Sequence, residues 1–371
     1  MKKILIITSG GTVGQRPNKK GVFKPSNKDY FHKIEGLDQL ANITVVNLGN
    51  IDSTDMDTSA PKTALDRAKI AKTIFENASK YDGFVIVHGT DTLPETAAAL
   101  TYMISNLGKP IVLTGSQRSI WSPRSDAQNN LFTAVQAATM DIGEVVVAFG
   151  NYLLRGTRVK KVHEEKYDAF ETPGVHPLGQ LTALSHGIMT GPDIIRRHNG
   201  TPKLFTEFDT GVFNYVHISG AYVDEPLEKI ATSKQVSGIL IGSFGAGNFP
   251  TRLNWFIEKA SKNGKPIIVY TRCETGAADM GLYSVGAANI EAGAESAGDM
   301  TLEALGQKFM FALGLLKVAR EGKLNKYAQF FPKKTSIPKL SKLARQNPSY
   351  FVTQIIKTSY NGDITVVGNR K

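Results

Sequence analysis

The chain has 371 residues, of which 41% are hydrophobic, with 44 Lys or Arg against 33 Asp or Glu and a formal charge of +11. That length exceeds what one hydrophobic core usually serves, so two domains are expected, and no apolar run is long enough to cross a bilayer, which describes a soluble globular protein rather than a membrane-spanning one. The lone cysteine, Cys273, excludes an internal disulfide and no Cys/His spacing suggests zinc, so a reducing, cytoplasmic setting and a chain without metal or other cofactor are expected.

Met1-Lys2-Lys3 has the charge of a signal-peptide start, but only about five apolar residues follow before a glycine turn, too few for an h-region. Those apolar residues, Ile4-Leu5-Ile6-Ile7, run into Thr8-Ser9-Gly10-Gly11-Thr12, a corner rich in hydroxyls. Further apolar runs at 43–46, 84–87, 111–113 and 145–149 alternate with helical spacing at 64–78, 93–107 and 128–140, as βα units around a mostly parallel sheet do. The predicted fold class is α/β: a larger N-terminal domain over residues 1–190, its mostly parallel sheet flanked by helices, and a smaller C-terminal α/β domain over 226–325. Between them, 191–225 is broken by Gly191-Pro192, Asn199-Gly200-Thr201-Pro202 and Gly211, and reads as a linker. The second α/β pattern has apolar runs at 238–242 and 266–270, a helix over 255–262 and a last long helix over 302–319.

Residues 326–371 form a basic extension, with nine Lys or Arg against Asp363 alone, which is +8 of the total charge. Such a segment can hold nucleic acid or an anionic membrane. No basic helix interleaved with aromatics and no recognised nucleic-acid module accompanies it, so a solvated surface segment is the expectation, with neither nucleic acid nor membrane as partner. Its apolar pieces at 350–352 and 364–367 suggest packing rather than a free tail.

The stretch that carries chemistry is Phe84-Val85-Ile86-Val87-His88-Gly89-Thr90-Asp91-Thr92, an apolar strand that ends in a polar glycine turn and leads into a helix. A buried parallel strand ending this way presents its turn to the crevice outside the carboxyl end of the sheet. Thr12 stands in the same place after the first strand, so the two threonines are expected to face one cleft. Neither glycine turn has the spacing of a P-loop or a dinucleotide fingerprint. Thr90 or Asp91 as a helix cap is the structural alternative. The functional reading is a hydroxyl beside a carboxylate that needs one more basic group, and a lysine of Arg155-Gly156-Thr157-Arg158-Val159-Lys160-Lys161 can supply it. Spacing does not choose between Lys160 and Lys161. His88 reads as a structural hydrogen-bonding group, and Gly242–Asn248 as a weak glycine-rich ligand loop.

Ser9-Gly10-Gly11-Thr12-Val13 and His88-Gly89-Thr90-Asp91-Thr92 resemble the two signatures of the L-asparaginase/glutaminase family of bacterial and archaeal type. Similarity continues through Asp52-Ser53-Thr54-Asp55-Met56, Thr114-Gly115-Ser116-Gln117, Arg124-Ser125-Asp126, the 155–161 stretch and Gly245-Ala246-Gly247-Asn248, so it spans roughly residues 1–320. The resemblance, closer to the cytoplasmic type I branch, implies hydrolysis of L-asparagine to L-aspartate and ammonia through a β-acyl-enzyme on Thr12. It implies that Thr90, Asp91 and Lys161 form a second triad that moves protons. Ser53, with Thr54 beside it, would hold the substrate α-carboxylate, Gly11 and Gly89 would line the substrate, and Ser116 would lie near the carbonyl oxygen. It also implies a homodimer or homotetramer, with Asn248 contributed by a neighbouring copy.

The sequence departs from the family pattern in three places: Ser9 replaces a usual threonine, Ala127 a usual glycine, and no tyrosine occurs between Val13 and Asp29, where the family carries one on a lid. Phe23 and Tyr30 are the nearest rings, and Lys19, Lys20 and Lys24 are placed to draw in a carboxylate. Alternative functions are a glutamine-directed amidase or the ammonia-supplying subunit of a tRNA-dependent amidotransferase, and a non-catalytic amino-acid sensor. The amidotransferase subunit carries an additional N-terminal domain, whereas here the first motif starts within ten residues of Met1.

Overall fold

The computed structural model describes the chain except residues 18–19, 21–22, 25–30, 32–33, 58–65, 184–186, 222 and 366–371. It divides into two units, Met1–Thr206 and Glu207–Lys371.

The first unit is built on an eight-stranded sheet. Its strands are β1 (Lys3–Gly10), β2 (Asn42–Ile51), β3 (Gly83–Val87), β4 (Ile111–Thr114), β5 (Val145–Phe149), β6 (Tyr152–Arg155), β7 (Gly179–Leu181) and β8 (Ile188–Thr190), in the spatial order β8-β7-β6-β5-β4-β3-β1-β2. From β2 to β5 all neighbours are parallel, with Ile4 opposite Gly83 and Phe84 opposite Ile111. β6, β7 and β8 extend the sheet antiparallel. Every residue of β3 and β5 is buried, as expected for strands covered on both faces that are rich in Val, Ile and Phe. The covering helices are α1 (Arg67–Glu76), α2 (Leu93–Met103) and α3 (Ala127–Thr139). Ala134, Ala137 and Ala138 of α3 join Ile4, Val85, Val112 and Val146 in one core, where small side chains let the helix sit close on the sheet.

The strand order fixes where ligands can bind. The chain runs from β1 outward to β2, then returns to the other side of β1 for β3. This reversal leaves a crevice between the loops that follow β1 and β3, the switch point at which open parallel sheets bind ligands. β1 also loses register between Thr8 and Gly10, so it bends away from the sheet just before Thr12.

The second unit has a four-stranded parallel sheet, β9 (Val212–Val216), β10 (Gly238–Ser243), β11 (Ile267–Thr271) and β12 (Ala294–Ser296), in sequential order. Around it lie α4 (Asp224–Thr232), α5 (Asn254–Lys262), α6 (Ser284–Glu291) and α7 (Leu302–Arg320). β9 and the start of α4 fall within the stretch whose composition reads as a linker, so that stretch supplies ordered elements of this unit. The basic extension does the same. It folds into α8 (Ile337–Gln346) and α9 (Pro348–Lys357), and both pack on α7. Each starts with proline in its first turn, where the missing N–H costs nothing, and Asn347 caps α9 through the Tyr350 nitrogen at 3.0 Å.

One ion pair fastens the extension. Lys308 of α7 donates to Asp363 Oδ2 at 2.8 Å, with both side chains fully buried. Its remaining donors reach Ile356 O at 2.8 Å and Thr358 O at 2.7 Å, so all three ammonium protons are placed. Asp363 in turn accepts from the Tyr360 nitrogen at 2.8 Å.

Candidate active site

Gly11 takes φ +88°, which strongly favours glycine, and the space allows nothing larger: a Cβ there would lie 2.5 Å from the Gly89 nitrogen. The corner after β1 therefore meets the corner after β3 backbone to backbone. Gly89 is equally confined, since a Cβ there would lie 2.5 Å from Ser53 Oγ. Ser53 opens the turn after β2, where Asp52 accepts hydrogen bonds from the Thr54 nitrogen at 3.1 Å and the Thr54 hydroxyl at 2.9 Å. Gly115, after β4, lies against His88 O and within 3.5 Å of Thr90 Cγ2 as judged from its Cβ position. Loops from four parallel strands thus converge at the switch point.

Thr12 opens a short 3₁₀ turn over Thr12–Gly14 and is half-buried. Thr90 is buried, and Lys161 Nζ donates to its hydroxyl at 3.0 Å and to Asp91 Oδ1 at 2.6 Å. Of the two lysines that spacing left open, Lys161 is the one seen to bond Thr90 and Asp91. Lys161 lies in a two-residue strand, Lys160–Lys161, paired antiparallel with Phe170–Glu171, and neighbouring strand residues point to opposite faces. The hairpin that delivers it is anchored at its base, where buried Glu144 receives Arg155 through Nε at 2.9 Å and Nη2 at 3.3 Å and the Ile195 nitrogen at 2.8 Å. Burial pushes the Glu144 carboxyl up from its ordinary range, and the Arg155 bonds oppose that shift.

The capping alternative for Thr90 and Asp91 does not hold. Thr92 occupies the cap position of α2 and makes no side-chain cap bond; its hydroxyl donates instead to Ser53 O at 2.7 Å. Asp91 turns to Lys161.

Ser116 is fully buried and its hydroxyl has no hydrogen-bond partner among the described residues. Asn248 belongs to the second unit, in a turn closed by paired bonds with Phe244 at 2.9 Å, and its Oδ1 is buried and likewise unpartnered among the described residues. Lys19 and Tyr30, and the side chains of Phe23 and Lys24, lie outside the described residues. Cys273 is exposed.

His88 is the hydrogen-bonding group its context suggested. Arg67 Nε donates to Thr96 Oγ1 at 2.9 Å, Thr96 Oγ1 lies 3.0 Å from His88 Nε2, and His88 Nδ1 lies 2.8 Å from Gly89 O. This chain of contacts fits one neutral tautomer, with Nδ1–H donating to Gly89 O and Nε2 accepting from Thr96. Burial moves the imidazole pKa down to about 4, with the Gly89 bond opposing and Arg67 assisting. Arg67 also donates to Met56 O at 2.7 Å, which ties the Ser53 turn to the corner after β3.

Two residues that sequence reading did not single out complete the frame. Thr92 supports Ser53 as described, and buried Asn130 of α3 donates to Gly115 O at 3.1 Å and Asp126 Oδ2 at 3.0 Å while accepting from the Gly150 nitrogen at 3.1 Å. An amide on the apolar face of a helix was the available signal for Asn130. Among the described residues no helix is long and apolar enough to cross a membrane.

Residues 3–192 match the asparaginase N-terminal family model and residues 215–321 the glutaminase/asparaginase C-terminal domain. An L-asparaginase of Thermococcus kodakarensis is 34% identical over 84% of this chain and 93% of its own length, and L-asparaginase 1 of Escherichia coli K12 is 33% identical over 84% and 92%. A glutamyl-tRNA(Gln) amidotransferase subunit of Aeropyrum pernix is 33% identical over 84% of this chain and 74% of its own length. Among solved structures, the thermostable L-asparaginase of T. kodakarensis superposes with a TM-score of 0.78 at 29% identity, covering 98% of this chain and 100% of that one. The family-model matches and the relatives' extents place this chain, by sequence and by fold, in the asparaginase family of amidohydrolases.

Proposed function

We infer that the protein hydrolyses L-asparagine to L-aspartate and ammonia through an acyl-enzyme on Thr12. The observation that carries this reading is the bridge from Lys161 Nζ to Thr90 Oγ1 and Asp91 Oδ1, set on a corner whose Gly89 touches Gly11, the residue before Thr12. The Thr12 hydroxyl adds to the side-chain amide carbon, and its proton travels by way of Thr90 and Lys161 to the departing nitrogen, which leaves as ammonia. Water then takes the same path in reverse: it adds to the ester, returns a proton to Thr12 and releases aspartate. Ser53 receives the substrate α-carboxylate beside Thr54, Asp91 faces its α-ammonium, and the glycine corners let backbone N–H groups approach the acyl oxygen, each such donor contributing about 3–4 kcal/mol in the transition state. Ser116, whose buried hydroxyl has no partner among the described residues, completes the contacts near the carbonyl.

The active assembly is a homodimer or homotetramer to which Asn248 contributes from a neighbouring copy. Large exposed apolar side chains of the second unit support this, with Ile218 at 69% and Leu282 at 61% exposure. Light scattering on the purified protein tests it, and a monomer with full activity overturns it.

A glutamine-directed role rests on the similarity to the amidotransferase subunit. Ammonia release from asparagine and from glutamine, with and without tRNA, separates the two readings: asparagine turnover indifferent to tRNA is expected. Thr12→Ala should abolish ammonia release with the fold intact, and an active Thr12→Ala protein removes the nucleophile from this scheme.

A further inference from the structure

The loop between β4 and α3, residues 115–126, touches both halves of the candidate machinery. On one side it holds the segment behind Thr12. The Ile120 nitrogen donates to Val13 O at 3.0 Å, the buried Ser119 hydroxyl donates to Gln15 O, and the Arg16 guanidinium lies 3.6 Å over the Trp121 ring. Arg16 Nε is buried without a hydrogen-bond partner among the described residues, so the stack is its compensation. On the other side the loop holds the segment that follows Lys161. Gln117 Nε2 donates to Glu164 O at 2.6 Å and Lys166 O at 3.0 Å, and the Tyr167 hydroxyl donates to Arg124 O at 2.6 Å.

The loop between these contacts is stiff. Asp126 accepts from the Gln117 nitrogen at 2.9 Å, the Arg118 nitrogen at 3.0 Å and Asn130 Nδ2 at 3.0 Å, while Ser125 Oγ donates to Arg118 O at 2.9 Å. A rigid body that grips the segment behind the nucleophile with one end and the lysine hairpin with the other fixes the distance between them.

We propose that residues 117–121 act as a spacer that sets the position of Thr12 relative to Lys161, with Trp121 and Gln117 as positioning residues. This rests on the nucleophile and proton-relay assignments above and extends them. A reaction that passes a proton between two loops depends steeply on their separation, and a displacement of about 1 Å can cost on the order of 100-fold in rate.

The experiment compares Trp121→Leu, Trp121→Phe, Gln117→Ala and Thr12→Ala by ammonia release and thermal unfolding. Trp121→Leu is expected to lower kcat about tenfold or more with KM for asparagine changed less than about twofold, since the loss falls on the transition state. Trp121→Phe, which keeps a ring for Arg16, should recover most of that loss, and Gln117→Ala should lower kcat in the same sense. Trp121 and Trp255 are the two tryptophans of the chain, so a Trp255→Phe background isolates Trp121 emission. Arg16→Met in that background should change the emission and lower kcat together. A Trp121→Leu enzyme with normal kcat, or one whose loss is matched by KM or by unfolding at the assay temperature, overturns the spacer while the nucleophile stands. A Thr12→Ala protein that still releases ammonia overturns both.

Discussion

Two lysine–aspartate pairs, Lys161–Asp91 in the first unit and Lys308–Asp363 in the second, are built to opposite ends. Lys308 and Asp363 are both 0% exposed, and every ammonium proton has a partner. Lys161 is 18% exposed and Asp91 57%, joined by one short bond, and the third group at Lys161 is a hydroxyl rather than a carbonyl. A pair saturated with fixed acceptors cannot exchange a proton without leaving a buried charge alone. A pair open to solvent, with a hydroxyl in its circuit, can. Charge pairing alone therefore does not mark a site; the unfilled positions around it do.

Removing each lysine separates the two designs. Lys161→Met takes away the group proposed above to relay the proton and should reduce kcat by three orders of magnitude or so, about 4 kcal/mol, with little change in unfolding temperature because a half-exposed pair contributes little to stability. If Lys160→Met is the damaging change instead, the proton route does not run through the observed bridge.

Asp363→Ala should do the reverse. It strands a buried ammonium and should lower unfolding free energy by about 3–5 kcal/mol, measured by denaturant titration, while turnover per folded molecule stays the same. Lys308→Met combined with Asp363→Leu should regain most of that loss, since two apolar side chains leave no charge to satisfy. A double variant as weak as the single would mean that the contacts of the extension, rather than its ion pair, hold it to α7.

The sequence made some of these features legible and concealed others for physical reasons. β1, β3, β4 and β5 are continuous apolar runs rich in β-branched residues, so their positions and parallel character follow from pattern alone, and the glycine corners after β1 and β3 point to the crevice. β6 and β7 were not visible: Tyr152–Arg155 and Gly179–Leu181 are short, half-polar strands, and β6 pairs with β5 through a hairpin at Gly150, where φ is +56°. α6 reads Ser-Val-Gly-Ala-Ala-Asn-Ile-Glu, with no capping side chain and a glycine inside, so nothing local announces a helix. The prolines that begin α8 and α9 were readable signals, whereas the pairing of Lys308 with Asp363 joins residues 55 positions apart and leaves no local trace. At the site, periodicity places Lys160 and Lys161 on opposite faces but does not say which face meets Thr90; only the register against Phe170–Glu171 does.

His88 extends the contrast between saturated and open groups into pH. Its pKa falls from 6.5 in the unfolded chain to about 4 when buried. Between those values the unfolded chain binds the extra proton and the native state does not, so stability falls as pH falls. The contribution is fully present above about pH 6.5 and gone below about pH 4, with a total on the order of 3 kcal/mol from the span between the two values. The same protonation would remove the acceptor for Thr96 and set a buried cation near Arg67 while the bond to Gly89 O persists, so the acid limb of activity should follow the acid limb of stability. His88→Asn keeps an N–H placed for Gly89 O but does not titrate. It should leave turnover at neutral pH within a few-fold of the parent and flatten the fall in unfolding temperature between pH 6.5 and 4. An unchanged slope in that variant would assign the acid sensitivity to carboxylates elsewhere and leave His88 as packing alone.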